Sequence, residues 1–98
     1  MNMQAMLKQA QALQKDMLKI KNEIDSTEFV GESSLVKVTL KGTREAVKVE
    51  ISKDSDLDKD DLEVLEDMIV VAINDANKKI DDMTEKKMGK YSNIPGLF

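Results

Sequence analysis

The side chains in this sequence best suited to chemistry are eight lysines near its two ends, and the chemistry is contact with phosphate. Lys8, Lys15 and Lys19 recur along one stretch near the start, and Lys78, Lys79, Lys86, Lys87 and Lys90 cluster near the end. A lysine ammonium displaces condensed counterions from a nucleic-acid backbone, which gives affinity that is salt-sensitive and indifferent to sequence. The same lysines also suit an ordinary solvated helix face. Residue type alone leaves both readings open. Base reading is poorly supplied in either case. The single arginine, Arg44, falls at an expected turn, and the aromatic residues are one tyrosine and two phenylalanines. Bidentate guanine contacts and base stacking need more of both.

Catalytic chemistry is harder to build. The chain has no histidine and no cysteine, which removes the usual general base, the thiol nucleophile and the commonest zinc ligands. No glycine-rich phosphate loop is present, and the expectation is a protein that is not an enzyme and holds no cofactor. Asp54, Asp56, Asp58 and Asp60 alternate as in a calcium loop, but the sixth position is Lys59 and the twelfth is Leu65. That loop needs glycine and glutamate there, so these acids read as a helix N-terminal cluster and no metal is expected. Asp75, between Ile73 and Ala76, reads as a structural hydrogen-bonding or surface group.

The elements that must position the lysines follow from periodicity. Met3, Met6, Ala10, Leu13, Met17, Ile20 and Ile24 form a heptad seam, with Lys8, Lys15 and Lys19 away from it. At a rise of ~1.5 Å per residue this helix is about 33 Å long from Met3 to Ile24. From Thr27 the period becomes two. Phe29-Val30, then Val36, Val38 and Leu40, then Val47, Val49 and Ile51 predict a three-stranded antiparallel meander. Glu32 to Ser34 and Gly42 to Glu45 supply its turns. Asp60 with Glu63 fits a capping box, with Ser55 or Asp58 as other caps. Leu62, Leu65, Ile69, Ala72, Ala76, Ile80 and Met83 then mark a second helix of ~45 Å, with Gly89 as its C-terminal stop. The predicted class is α+β, in the order αβββα: one domain over residues 1–90 and a short tail over 91–98.

Charge is polarised along this plan. The net charge is −4, yet residues 53–67 hold eight acids against two lysines, and residues 76–98 hold five lysines against three acids. Basic ends flank an acidic middle, so a basic surface survives an acidic total. No run of about 18 apolar residues suggests a membrane span, and no basic-then-apolar leader opens the sequence. The expectation is a protein that neither spans a membrane nor is secreted.

Two features argue for self-association. Strands of six or seven residues are only ~20–23 Å long, so both helices outreach the sheet. Met68, Ile69, Val70, Val71 and Ile73 lie in a stretch that is apolar all round the helix, and such a helix is buried on more than one side. These five residues are the expected interface of an intertwined or tightly packed homodimer.

The opening MLKQAQALQKDMLKIKNEI, the strands VGESSLVKVTLKG and EAVKVEIS, the helix DLEVLEDMIVVAINDANKKIDDMTEKKMGK and the ending IPGLF together resemble the YbaB/EbfC family of nucleoid-associated proteins. The likeness runs from about Met3 to Phe98, in the same order and spacing. The resemblance implies the αβββα fold, a homodimer with protruding helices, and a cytoplasmic, nucleoid location. It also implies double-stranded DNA as partner, bound by helical residues at the two chain ends, which here are the eight lysines. Family members often carry extra small residues between the first and second strands, where only Ser33-Ser34 stands here. Another class of function stays open: an interaction module that docks a protein partner through its helical seams. The acidic pI of 4.8 and the heptad with Met3, Met6 and Met17 suit it.

Overall fold

No proline or glycine interrupts residues 3–26, and in the computed structural model that segment is one unbroken helix, α1 (Met3–Ser26). The structure describes residues 2–53 and 56–89. The Asn2 side chain caps α1 by accepting the Gln4 N–H at 3.0 Å. At the other end the Thr27 hydroxyl donates to the Glu23 carbonyl at 2.6 Å, satisfying one of the last orphan acceptors.

Period-two alternation produces β1 (Glu28–Ser33), β2 (Val36–Lys41) and β3 (Ala46–Ile51), an antiparallel sheet in sequence order. Gly31 faces Val38, and Val38 faces Val49, so the apolar residues share one face. A two-residue turn joins β1 to β2, with Ser34 at φ 47°. Past Thr39 the β2–β3 register shifts, since Leu40 pairs with Ala46 and leaves Val47 as the extra residue of a bulge.

The second helix is entered two residues earlier than the Asp60–Glu63 box predicts. Asp58 caps a 3₁₀ turn (Lys59–Asp61): its side chain accepts the Asp60 N–H at 2.8 Å, and its own N–H donates to Asp61 at 3.0 Å. The box therefore forms at Asp58 and Asp61, because that turn exposes the first unpaired N–H groups. Ser55 lies outside the described residues. The long helix α2 (Leu62–Met88) follows, and Gly89 keeps a right-handed φ of −57°, so α2 does not stop on a left-handed glycine there. The tail expected over 91–98 lies outside the described residues.

α2 lies across β1 and β2 and stops short of β3. The core is Ile24, Phe29, Val36, Val38, Leu40, Ala72, Ala76 and Ile80. Ala72 and Ala76 let the helix descend onto Gly31, where a Cβ would overlap the Ala72 carbonyl oxygen and the Ala76 nitrogen. Beyond that core the helices run on. The radius of gyration is 19.5 Å and the extents are 70 × 20 × 15 Å, whereas a compact chain of this length has about 13 Å.

Candidate nucleic-acid interface

The seam of α1 goes from covered to open along its length. Ile24 is buried, Ile20, Met17 and Leu13 are half-buried, and residues 2–12 are exposed throughout. The N-terminal half of the helix therefore stands clear of the body. Lys8, Lys15 and Lys19 are exposed along it. Their spacings of seven and four keep them on one stripe of a helix with ~3.6 residues per turn, opposite the seam. None of the three makes an ion pair among the described residues.

The lysines of α2 divide. Lys78 and Lys86 are exposed and make no ion pair among the described residues. Lys79 is held: its Nζ donates to the Val30 carbonyl at 2.6 Å and lies 3.4 Å from Asp75. Lys87 is half-buried and pairs with Glu23 of α1 at 3.2 Å, tying the end of α2 to the end of α1. Lys90 lies outside the described residues. The structure thus brings Lys8, Lys15 and Lys19 together on one helix and turns Lys79 and Lys87 toward protein partners.

Arg44 is spoken for as well. It sits at φ 74° in the β2–β3 turn. Its guanidinium donates to the Asn77 side chain at 2.6 Å and pairs with Asp81, so it clasps the turn to α2. Phe29 is in the core, while Tyr91 and Phe98 lie outside the described residues. Among the described residues, neither an unengaged arginine nor an exposed aromatic side chain is left to meet a base.

Asp75 is the anchor that the sequence suggests. Its carboxylate accepts the Glu32 N–H at 3.0 Å. That bond, opposed by some desolvation and aided by Lys79, holds its pKa below the ordinary 3.8. Glu50 is likewise held below its usual value, chiefly by Lys48. No group of acids able to hold a metal gathers among the described residues. A hollow at the start of α2 is lined by Leu35, Asp56, Leu57, Asp61, Val64, Leu65 and Met68, which is apolar and acidic and so a poor seat for phosphate. No helix of the described residues is long and apolar enough to cross a membrane.

The residues expected at a dimer interface fall in two sets. Met68, Ile69 and Ile73 are half-buried against the chain's own core. Val70 and Val71 are 56% and 53% exposed. Periodicity missed a second open surface: on the apolar side of β3, Val47, Val49 and Ile51 are 48%, 49% and 39% exposed. The alternation marks them as a buried face, and only the short reach of α2 reveals that their own chain leaves them uncovered.

Comparison with known proteins places these features in context. Residues 1–94 match the model of the YbaB/EbfC DNA-binding family. A nucleoid-associated protein of Ligilactobacillus salivarius is 46% identical over 99 residues, covering 99% of this chain and 95% of the relative. Another from Lactococcus lactis is 46% identical over 94 residues, 94% of each chain. One from Pelotomaculum thermopropionicum is 41% identical over 102 residues, 99% of this chain and 96% of the relative. The crystal structure of an uncharacterised Helicobacter pylori protein shares the fold, with a TM-score of 0.74 at 17% identity over 93% of this chain and 97% of that one.

Proposed function

We propose a mode of DNA binding from one established premise: the chain belongs to the YbaB/EbfC DNA-binding family, whose relatives here are named nucleoid-associated proteins. It binds double-stranded DNA as a homodimer, by charge and with low sequence specificity, and contributes to nucleoid organisation or gene regulation in the cytoplasm. The observation that carries this reading is the exposed stripe of Lys8, Lys15 and Lys19 along α1, a helix whose N-terminal half stands clear of the body. Lys78 and Lys86 add to it from α2, and Lys90 follows them in sequence. Lys79 and Lys87 serve the fold first. Low specificity follows from the engaged Arg44 and the scarcity of exposed aromatics.

The assembly is proposed from the open apolar surfaces. Contiguous exposed apolar surface on a small soluble protein marks a binding site. β3 leaves Val47, Val49 and Ile51 uncovered, and α2 leaves Val64, Val70 and Val71 uncovered. A two-fold pairing that lays the α2 of each copy over the β3 of the other covers both at once. The elongated single chain supports this, since 19.5 Å is far from a compact radius. Membership of a DNA-binding family weighs against a module that only docks protein.

The test is a salt titration of duplex binding with the mass measured in the same buffer. Expected is a dimer whose log affinity falls linearly with log salt, by about 0.9 for each phosphate contacted. A salt-independent affinity, or no binding at low salt, overturns the electrostatic reading.

A further inference from the structure

The two edges of the sheet are not treated alike. The Gly42 N–H donates to the Thr27 carbonyl at 3.0 Å. In the alternating antiparallel pattern, Thr27, Phe29, Gly31 and Ser33 then turn their peptide groups to β2, and Glu28, Val30 and Glu32 turn theirs to the outer edge of β1. At that edge the Val30 carbonyl accepts Lys79 Nζ at 2.6 Å, and the Glu32 N–H donates to Asp75 at 3.0 Å. Lys79 and Asp75 lie 3.4 Å apart, four residues from each other on α2. Together they take the places that the N–H and C=O of one residue of a parallel neighbouring strand would fill. Among the described residues no side-chain pair of this kind covers the outer edge of β3. The Ser52 N–H donates to the Leu35 carbonyl at 2.8 Å, so by the same alternation Val49 and Ile51 face outward. Among the described residues β3 has a strand neighbour on one side only.

We propose that Asp75 and Lys79 are an edge stop: a pair of helix side chains that occupies the hydrogen-bonding groups of β1 and prevents another strand from adding there. An unpaired strand edge is a template for open-ended association, and proteins suppress it by covering or charging the edge. α2 already presses on this strand, because its backbone sits on Gly31. The pair finishes the closure where the helix body cannot reach. Self-association is then confined to the surfaces away from β1, which lets an assembly close instead of growing into a chain of copies. This assigns Lys79 a positioning role outside DNA contact, and it holds whether or not the DNA-binding reading does.

Amide exchange in the unmodified protein is the first test. The Val30 and Glu32 N–H groups both face outward on β1, but among the described residues only that of Glu32 has a partner. The Glu32 amide is expected to exchange at least about tenfold more slowly than that of Val30, as a hydrogen bond to a charged group implies. Equal exchange overturns the proposal without any variant. The second test is sedimentation of Asp75→Ala/Lys79→Ala over a range of concentrations, with the Gly31 and Val38 amides reporting whether the sheet is intact. Expected are species larger than the unmodified assembly, growing with concentration, and their reversal in a Lys79→Arg single variant that restores a donor. An intact sheet with an unchanged mass distribution overturns the proposal. If the double variant does not fold, Lys79→Met decides by the same criterion.

Discussion

A lysine already held by a carboxylate contributes less to a phosphate contact than a free one, because the ion pair must open first. The lysines of this chain are sorted on that basis. Replacing Lys8, Lys15 and Lys19 together by alanine is expected to reduce the salt slope of DNA binding by about 0.9 for each lysine that contacts a phosphate. Fluorescence anisotropy across a salt series reads it. Lys87→Ala should leave that slope nearly unchanged. It should instead lower the unfolding free energy by about 0.2–1 kcal/mol, the usual worth of an exposed pair such as Lys87–Glu23, measured by urea denaturation. Asp75 makes a pH prediction. The Glu32 N–H holds its native pKa below the ordinary 3.8. Its contribution to stability is therefore complete above that value and is lost as pH falls through the lower native one. Asp75→Asn should flatten the acid limb of the stability profile below about pH 4, with little change in slope near neutrality. Some of this sorting is legible in the sequence. Asp75 stands four residues before Lys79, a spacing that pairs charges on any helix. The Val30 carbonyl is 49 residues from Lys79, and Glu23 is 64 from Lys87, and no local pattern announces contacts that distant.

Elements form here where one period dominates, and their ends are set by local hydrogen bonding. The heptad seam and the alternating valines were enough to read α1, the three strands and α2 from sequence. The helix ends were less legible. Five aspartates lie between residues 54 and 61, and any of several could cap; the 3₁₀ turn selects Asp58. Gly89 was readable as a stop by type only, since nothing in the sequence fixes its φ. A close contact between elements also hides in a small residue. Gly31 lies in a strand, where glycine weakens the ladder, and its reason is the α2 backbone against it. Gly31→Ala has no flexible neighbour to displace. It is expected to destabilise the fold by about 3 kcal/mol or more, at the upper end for overpacking. Thermal unfolding followed by circular dichroism tests this, and a loss under about 0.5 kcal/mol, the size of a surface substitution, would show that α2 can lift from the sheet. Gly42→Ala offers a comparison, because a Cβ there meets the Ile24 carbonyl and so tests the seat of α1 in the same way.

At the scale of the molecule, the question is what covers β3. Its alternation is that of a strand with one buried face, yet every residue of it is exposed in the single chain. One helix has a diameter of about 10–12 Å and strands lie about 4.8 Å apart, so α2 spans two strands and leaves the third. The sequence shows that β3 expects a cover; it does not show that the cover must come from elsewhere, because the width of a helix is not written in periodicity. The proposed pairing would supply a second copy of α2 as that cover, with Val70 and Val71 among the valines it can bring. Val49→Lys and Val71→Lys place a charge on each half of that pairing. Both side chains are exposed in the single copy, so the isolated fold should tolerate them. Each is expected to halve the mass measured by light scattering, and to roughly halve the magnitude of the salt slope, since one copy then brings half the lysines. Thr43→Lys, at the exposed β2–β3 turn, should change neither mass nor slope downward. If the unmodified protein has the mass of one chain, or if both valine variants remain dimers, the pairing of α2 on β3 is wrong, and the lysine stripes must then bind DNA one copy at a time.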